Sequence, residues 1–264
     1  MFATSIGIAV AVRSQVPDLV LADSLGDQSS SESFVYAPHV SPESNVAAAS
    51  PPAPAAPAPA AAPAAPSPGQ AVGATQQRLT ELRYYVASAD GKTSAATRSA
   101  VMAFQKVNGL KVDGAVGPQT AAALASASAP SLRGGPPNRI EVDLTKQVLY
   151  FVQNDHLVRV MPVSSGNGKT YRTSSGGRGR ANTPVGTFRV ERRIRGVRVA
   201  DLGTLHNPLY FHGGYAIHGS TSVPSYPASH GCIRVSLTDS LWLFARAPLG
   251  TTVIVYGGTH TFSP

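Results

Sequence analysis

The chain has 264 residues, of which 42% are hydrophobic and 14% charged, with 25 glycines and 22 prolines. This length suffices for one large or two smaller folded domains, and the glycine and proline content excludes a helical bundle throughout. The single cysteine excludes a disulfide scaffold, an iron–sulfur protein and a four-cysteine zinc site. The net charge of +8 is compatible with a solvated basic surface or with an anionic partner, and its sign does not choose between nucleic acid, membrane surfaces and carboxylate-rich polymers.

Residues 1–69 carry the features of a leader and a spacer. The apolar run at residues 4–12 resembles the end of a secretion signal without its basic segment, so we interpret it as a degenerate or truncated export signal. Residues 46–69 contain twelve Ala and eight Pro. This composition favours a semi-rigid polyproline II spacer that reaches roughly 70 Å at about 3.1 Å per residue. No run of 18 or more apolar residues occurs, so no transmembrane helix is predicted.

Apolar residues at helical spacing follow residue 75 and predict a small helical domain. Asp-Gly pairs begin at Asp90 and Asp113, and a Thr follows each Asp by seven residues, which indicates a weak internal repeat of turn and helix. The sequences AVMAFQ (residues 100–105) and GLKVDGAVGPQT (residues 109–120) resemble the peptidoglycan-binding domain found beside many cell-wall enzymes. The resemblance implies a helical fold and a peptidoglycan partner.

After a short linker at residues 132–138, the hydrophobic period changes from helical to two. The alternation of apolar and acidic residues from Ile140 to Leu144 predicts the first strand. Further strands are predicted at residues 148–152, 157–163, 187–190, 215–218 and 251–256. One helix is predicted over residues 237–246, capped by Ser236. Its predicted apolar face consists of Leu237, Leu241, Phe244 and Ala245.

The single cysteine lies in the sequence SHGCIRV (residues 229–235), and Ser229 follows His218 by eleven residues. An imidazole within reach of a thiol can take its proton or stabilise the thiolate, which is sufficient chemistry for acyl transfer. No Asp or Glu lies between Asp201 and Asp239, so a backbone carbonyl near Gly219 is predicted to orient the imidazole.

Three further interpretations concern the surroundings of Cys232. Gly231 allows a close backbone approach that could aim consecutive N–H groups at an oxyanion, and Arg234 is placed to bind a carboxylate. A lone cysteine is also compatible with an inert buried thiol. A third interpretation is a zinc site, although the spacing of the cysteine and histidines matches no known metal-binding motif. Its candidate ligands are Cys232 with His206, His212, His218 and His230. The remaining histidines, His156 and His260, are predicted to be solvated.

The sequences Ile-His-Gly and Ser-His-Gly-Cys-Ile-Arg resemble the catalytic motif of the L,D-transpeptidases, the YkuD-type family, with supporting matches across about residues 138–257. The resemblance implies Cys232 as nucleophile, His218 as general base and Gly219 as the orienting carbonyl. It also implies an oxyanion hole formed by the N–H groups of His230, Gly231 and Cys232. Substrate binding is assigned by the same resemblance to Arg234, Ser229, Tyr210 and His212, with no metal and no cofactor.

The resemblance further implies a donor and an acceptor. The donor is a peptidoglycan tetrapeptide stem, cleaved between its diamino residue and D-Ala, and the acyl group passes to an amine to give a 3→3 cross-link. A carbapenem is expected to acylate Cys232, and the protein is expected outside the cytoplasm, in the periplasm or cell wall. The same site could instead serve an L,D-carboxypeptidase or attach a wall protein. A zinc-dependent hydrolase and a non-catalytic wall-binding protein are the alternatives from other classes. No nucleic-acid-binding motif is visible.

The predicted architecture is a mainly β catalytic domain, an L,D-transpeptidase β-sandwich, preceded by a small α-helical peptidoglycan-binding domain. The predicted ranges in chain order are a leader at 1–45, the Ala/Pro-rich linker at 46–69, the helical domain at 70–128, a short linker at 129–137 and the catalytic domain at 138–258.

Overall fold

The computed structural model describes residues 67–84, 87–173 and 175–258. The predicted leader, the spacer up to residue 66 and His260 lie outside the described residues. The helices are α1 (Pro68–Glu81), α2 (Ala95–Val107), α3 (Pro118–Ser126) and α4 (Leu237–Arg246). The strands are β1 (Arg139–Asp143), β2 (Val148–Gln153), β3 (His156–Pro162), β4 (Thr170–Arg172), β5 (Arg178–Arg180), β6 (Gly186–Arg189), β7 (Arg192–Arg193), β8 (Val197–Ala200), β9 (Gly203–His212), β10 (Tyr215–Gly219), β11 (Ile233–Val235) and β12 (Thr252–Tyr256). No helix among the described residues is both long and apolar enough to cross a membrane.

The helical domain begins inside the range predicted as spacer. Ser67 caps α1 through a capping box with Gln70, and Pro68 occupies a first-turn position where the missing N–H costs nothing. The internal repeat predicted from the two Asp-Gly pairs is confirmed, because a buried glutamine in each repeat donates to the Asp and to the Thr seven residues later. The two triads are Gln76 with Asp90 and Thr97, and Gln105 with Asp113 and Thr120.

The strands form a sandwich, which confirms the predicted fold class. The first sheet has the order β3-β2-β1-β12-β6, and the second has the order β11-β10-β9-β7, with β8 also paired to β9. The pairs β1–β12 and β10–β11 are parallel, whereas the other pairs in these two sheets are antiparallel. A core that includes Phe151, Phe211 and Ile217 fills the space between the sheets and is closed by α4. Burial of this apolar surface is the main stabilising contribution to the sandwich.

The helical domain packs directly on the outer face of the first sheet. Leu79 and Phe104 of the helices share a hydrophobic cluster with Val148, Tyr150 and Val160 of β2 and β3. The part of the first sheet formed by β2 and β3 is therefore covered on its outer face, and all five residues of the neighbouring β1 are buried, including its acidic positions. The helices and the sandwich belong to one compact unit, so the two domains are joined by a core as well as by the chain.

The predicted short linker is held to the sheet by the carboxylate of Glu141. This fully buried side chain accepts hydrogen bonds from the N–H groups of Arg133 and Gly134, and it pairs with Arg139 at 2.7 Å. A buried carboxylate needs such partners, because an unpaired charge in the core is costly. The segment is thus anchored to β1, an inner strand of the first sheet.

The predicted helix at residues 237–246 and its cap at Ser236 are confirmed, but the predicted apolar face is wrong. Leu237, Leu241 and Ala245 are exposed, and of the predicted face only Phe244 is buried. The helix instead buries Asp239, Ser240, Leu243 and Phe244. The buried ion pair between Asp239 and Arg159 of β3 explains the difference, because it turns a polar face of the helix toward the sandwich.

Candidate active site

The β10–β11 pair places the predicted catalytic side chains on one face of the second sheet. The two strands are parallel, with His218 opposite Arg234 and Ile217 opposite Ile233. Ile217 and Ile233 point into the sandwich core. Because side chains alternate along a strand, His218 and Arg234 face the opposite side, and Cys232 comes two residues before Arg234. The core therefore orients the reactive residues outward by burying their neighbours.

The tautomer of His218 follows from its hydrogen bond to the backbone. Its Nδ1 lies 2.9 Å from the carbonyl oxygen of Gly219. A carbonyl can only accept, so Nδ1 carries the proton and Nε2 keeps a free lone pair. Burial lowers the pKa of His218 to about 4, and the charge of Arg234 acts in the same direction. The imidazole is therefore neutral at pH 7, the form that a general base requires.

Cys232 is half-buried, and its thiol lies 3.8 Å from the carbonyl oxygen of Gly214. Burial raises the pKa of the thiol above its ordinary value, while a backbone hydrogen bond from Ala216 and the charge of Arg234 act in the lowering direction. The resting site therefore pairs a neutral thiol with a neutral imidazole. A thiol in this state becomes a strong nucleophile only when a base takes its proton, and the sequence predicts His218 as that base.

Alkylation of Cys232 by iodoacetamide tests this resting state. Because the thiolate is the reactive form, we expect the rate to rise about tenfold per pH unit between pH 7 and 9. The chain contains no other cysteine, so the adduct mass reports this site alone. A rate that is already independent of pH at 7 would contradict the assignment, because it would require a thiolate–imidazolium pair.

The loop that carries Cys232 is held by hydrogen bonds within itself. The Ser229 hydroxyl donates to the carbonyl oxygen of Cys232 at 2.5 Å and accepts from the N–H of Gly231 at 3.0 Å. The prediction that the Gly231 N–H faces an oxyanion is therefore corrected, since this donor is already used. The N–H groups of His230 and Cys232 remain the predicted donors. The hydroxyl of Ser229 therefore positions the loop.

Gly231 cannot be replaced without moving this loop. Its φ is +134°, a region that side chains other than hydrogen disfavour. A Cβ atom there would lie 2.6 Å from the ring of Tyr215 and 2.8 Å from the carbonyl oxygen of Asn182. The turn before the nucleophile therefore requires glycine both for its conformation and for the space around it.

Two cavities meet at Cys232. The first has a volume of about 530 Å³ and is lined by His206, His218, Arg234 and His230, among others. The second, of about 640 Å³, is bordered by Tyr171, Arg198, Asp201 and Tyr210. The thiol is thus reachable by a ligand in either cavity. Arg234 is half-buried and forms no ion pair with a described carboxylate, so its guanidinium can receive an anionic group.

The remaining predicted site residues are dispersed. Tyr210 borders the second cavity, but it is nearly buried beneath the guanidinium of Arg192, 3.8 Å from its ring centre. His230 lines the first cavity and contacts the ring of Tyr171, centre to centre, at 4.8 Å. His212 lines neither cavity that contains Cys232, and it packs against Phe188 and Tyr215 instead. Its role in substrate binding stays a prediction.

The described part of the chain offers no support for the hypothesis of a zinc site. No group of three or more His, Cys, Asp or Glu side chains in those residues could hold a metal ion. These residues include Cys232 and all four histidines that the sequence offers as candidate ligands.

Sequence reasoning missed Tyr171 and Thr183. Tyr171 lies on the β4–β5 hairpin and lines both cavities, although its sequence surroundings read as a glycine- and serine-rich separator. The Thr183 hydroxyl donates to the carbonyl oxygen of Gly231 at 2.7 Å and accepts from the N–H of Gly166 at 2.9 Å. The available signal was the run from Thr183 to Phe188, which carried the family resemblance without indicating this contact.

A cysteine acyltransferase uses a thiol, a base and a group that binds its substrate. This site offers a neutral thiol, an imidazole with a free Nε2 and an arginine that can receive a carboxylate. Comparisons with known proteins agree. The family model described as "L,D-transpeptidase catalytic domain" (YkuD) matches residues 137–255, and the model described as "Putative peptidoglycan binding domain" matches residues 68–124. This chain belongs to the L,D-transpeptidase family, with an N-terminal peptidoglycan-binding domain.

Two relatives illustrate the similarity. The crystal structure of the L,D-transpeptidase (residues 123–326) from Xylanimonas cellulosilytica DSM 15894 is 46% identical, with a TM-score of 0.69. The match covers 74% of this chain and 100% of that one. The protein named "Putative L,D-transpeptidase YciB" from Bacillus subtilis (strain 168) is 28% identical over 136 residues. That match covers 44% of this chain and 64% of the relative, so the chain spans a little under two thirds of that curated protein.

Proposed function

We propose that this protein is a peptidoglycan L,D-transpeptidase that uses Cys232 as its nucleophile. The observation that carries the proposal is the bond between His218 Nδ1 and the Gly219 carbonyl, because it leaves Nε2 as a base on the face that carries Cys232. Membership of the L,D-transpeptidase family supplies the reaction class. The donor is a tetrapeptide stem whose terminal D-Ala is displaced.

The proposed first half-reaction forms a thioester. His218 Nε2 takes the proton of Cys232, and the sulfur attacks the carbonyl carbon of the diamino residue. The tetrahedral intermediate places its negative charge on the carbonyl oxygen, toward the N–H groups of His230 and Cys232. The bond to D-Ala then breaks, and the imidazolium returns its proton to the leaving amine.

The proposed second half-reaction resolves the thioester. The side-chain amine of another stem attacks the carbonyl carbon, His218 takes the proton from that amine, and the sulfur leaves and regains a proton. The product is a 3→3 cross-link. Arg234 binds a carboxylate of the peptide during these steps, since a guanidinium can hold a carboxylate through two parallel hydrogen bonds.

The charge distribution and the helical domain support a cell-wall substrate. Residues 138–264 contain fourteen basic and six acidic residues, and such a field concentrates carboxylate-bearing peptides near the site. Binding of peptidoglycan by the helical domain would raise the local concentration of stems further. These features support our proposal that the protein acts outside the cytoplasm, in the periplasm or cell wall, in wall assembly.

Incubation of the full-length protein with disaccharide-tetrapeptide, followed by mass spectrometry, tests the proposed function. We expect a dimer formed with loss of one D-Ala. Disaccharide-tripeptide is the matched control, because it lacks the bond that is cleaved and should give no product. Formation of tripeptide without dimer would indicate an L,D-carboxypeptidase, or a transpeptidase that needs an acceptor other than this stem. The absence of any product would contradict the proposal.

A carbapenem is expected to acylate Cys232. The thiolate would open the β-lactam ring, and the ring nitrogen would take the proton, which leaves a thioester and adds the whole mass of the drug. Intact mass spectrometry of the wild type and of Cys232→Ala measures the adduct. One adduct on the wild type and none on the variant is the expected result, and an unmodified wild type would count against the proposal.

A further inference from the structure

Lys106, near the end of α2, extends from the helical domain into the catalytic domain. Its side chain is 1% exposed. The ammonium nitrogen Nζ donates to the carbonyl oxygen of Val163 at 2.8 Å and to that of Gln147 at 3.1 Å. Both acceptors belong to the catalytic domain, next to the ends of β3 and β2. A lysine thus links the two domains through the interior of the unit.

A buried lysine is an unfavourable choice for stability alone. Burial disfavours the charged form and lowers the pKa of Lys106 to about 7. Methionine has an unbranched side chain of similar length and would fill much of this space without the cost of burying an ammonium group. The buried amine is therefore better explained by the backbone segments that it fixes through the carbonyl groups of Val163 and Gln147.

The two acceptors lie in backbone segments that support residues 229–232, which we call the nucleophile loop. Val163 directly precedes Ser164 and Ser165, and its own N–H donates to the carbonyl oxygen of Gln147 at 2.9 Å. The side chain of Gln147 accepts from the N–H of Ser165 at 2.8 Å and donates to its hydroxyl at 2.7 Å. Lys106 thus fixes two backbone segments that together determine where Ser164 and Ser165 lie.

Ser164 and Ser165 in turn hold the segment that carries Cys232. The N–H and carbonyl of Ser164 pair with those of Arg234 at 3.1 and 3.0 Å. The carbonyl oxygen of Ser165 accepts from the N–H groups of Ala228 and Ser229 at 3.0 and 2.9 Å. Ser229 then donates to the carbonyl oxygen of Cys232. An unbroken series of hydrogen bonds and peptide bonds connects the helical domain to the nucleophile.

We propose that Lys106 is a positioning residue for the transpeptidase reaction, through which the helical domain fixes the loop that carries Cys232 and Arg234. The inference rests on the proposed function for its catalytic consequence, but its structural part stands on the hydrogen bonds above. The helical domain then has a second role besides wall binding. It also supports the nucleophile loop, so we expect it to increase the reaction rate even with small soluble donors that do not bind to the helical domain.

The test compares the full-length wild type with Lys106→Met, Lys106→Gln and the control Lys111→Met. Lys111 belongs to the same domain, but its side chain is 84% exposed. Lys106→Met removes the hydrogen bonds to Val163 and Gln147 and retains an unbranched side chain, whereas Lys106→Gln keeps a donating NH2 group on a shorter side chain. Amide hydrogen exchange over residues 163–166 and 228–235, measured by mass spectrometry, reports the loop without any substrate. Kinetics with disaccharide-tetrapeptide then give kcat and KM separately.

Lys106→Met is expected to lose protection in both segments by about tenfold or more, while α1 and β12 retain wild-type exchange. Its kcat should fall by about tenfold or more, because a small displacement of a nucleophile lowers the rate of the chemical step. Its KM should rise as well, because the same segment carries Arg234, the proposed binding group for the substrate carboxylate. Lys106→Gln should recover part of both losses, and Lys111→Met should match the wild type.

Three outcomes would overturn the proposal. The first is wild-type protection of residues 228–235 in Lys106→Met. The second is loss of protection throughout the chain, or failure of the variant to fold, either of which would make Lys106 a stabilising residue only. The third is a wild-type kcat despite a loosened loop. An inactive wild type with a loosened loop in Lys106→Met would instead refute the proposed function and keep the structural link.

Discussion

The Cys232→Ala variant is expected to lose L,D-transpeptidase activity by on the order of 10⁴-fold or more, since no thioester can form without the sulfur. Cys232 is half-buried and packs against Leu205, Tyr210 and Ala216. Removal of one sulfur atom from this position should change the free energy of unfolding by roughly 1 kcal/mol or less. The measurement is the rate of dimer formation from disaccharide-tetrapeptide, with a thermal unfolding curve for each protein.

Binding to isolated cell-wall sacculi provides the control for this variant. The helical domain does not contain Cys232, so the bound fraction should equal that of the wild type. A variant that forms dimer at the wild-type rate would remove Cys232 from the mechanism. Equal inactivity of wild type and variant, with retained wall binding, would instead favour a non-catalytic wall-binding protein.

The His218→Gln variant is expected to lose activity by about 10²- to 10⁴-fold, the usual contribution of a general base. Glutamine can still donate to the Gly219 carbonyl, but its amide cannot take the proton of Cys232 at neutral pH. The kcat/KM of the variant and the wild type should be measured between pH 5 and 8. The matched control is His156→Gln, because His156 is exposed at the start of β3 and outside both cavities. An active His218→Gln would require another base.

The low pKa of His218 also predicts how stability depends on pH. The unfolded chain takes up a proton on this histidine near pH 6.5, whereas the folded protein does so only near pH 4. The contribution of His218 to stability is therefore fully present above pH 6.5 and is lost as the pH falls from 6.5 through 4. His218→Gln should show a smaller loss of unfolding free energy than the wild type over that interval. Denaturant titrations at pH 7 and pH 4.5 measure the difference, and an equal loss in both proteins would contradict the assigned pKa.

Much of the fold is local enough to be predicted from the sequence. The strands from β1 to β3, together with β6, β10 and β12, coincide with short apolar runs, and the repeat in the helical domain follows from its two Asp-Gly turns. Strand β9 was not predicted, although it is ten residues long. It contains Pro208 and begins at Gly203, and both residues are unfavourable in isolated strands. Its pairing with β7, β8 and β10 overrides these local preferences.

The sequence by itself determined that the chain has one thiol, with a histidine two residues before it and an arginine two residues after it. These are the candidate reactive groups, and their identity needs no coordinates. The tertiary structure alone decided which groups remain available. The Gly231 N–H is already used by Ser229, His212 lies outside the cavities, and Tyr171 enters from a distant hairpin. It also decided that the helical domain packs on the first sheet and that Lys106 lies at the base of the nucleophile loop. These features depend on contacts between segments far apart in the chain, whereas sequence patterns report mainly the preferences of neighbouring residues.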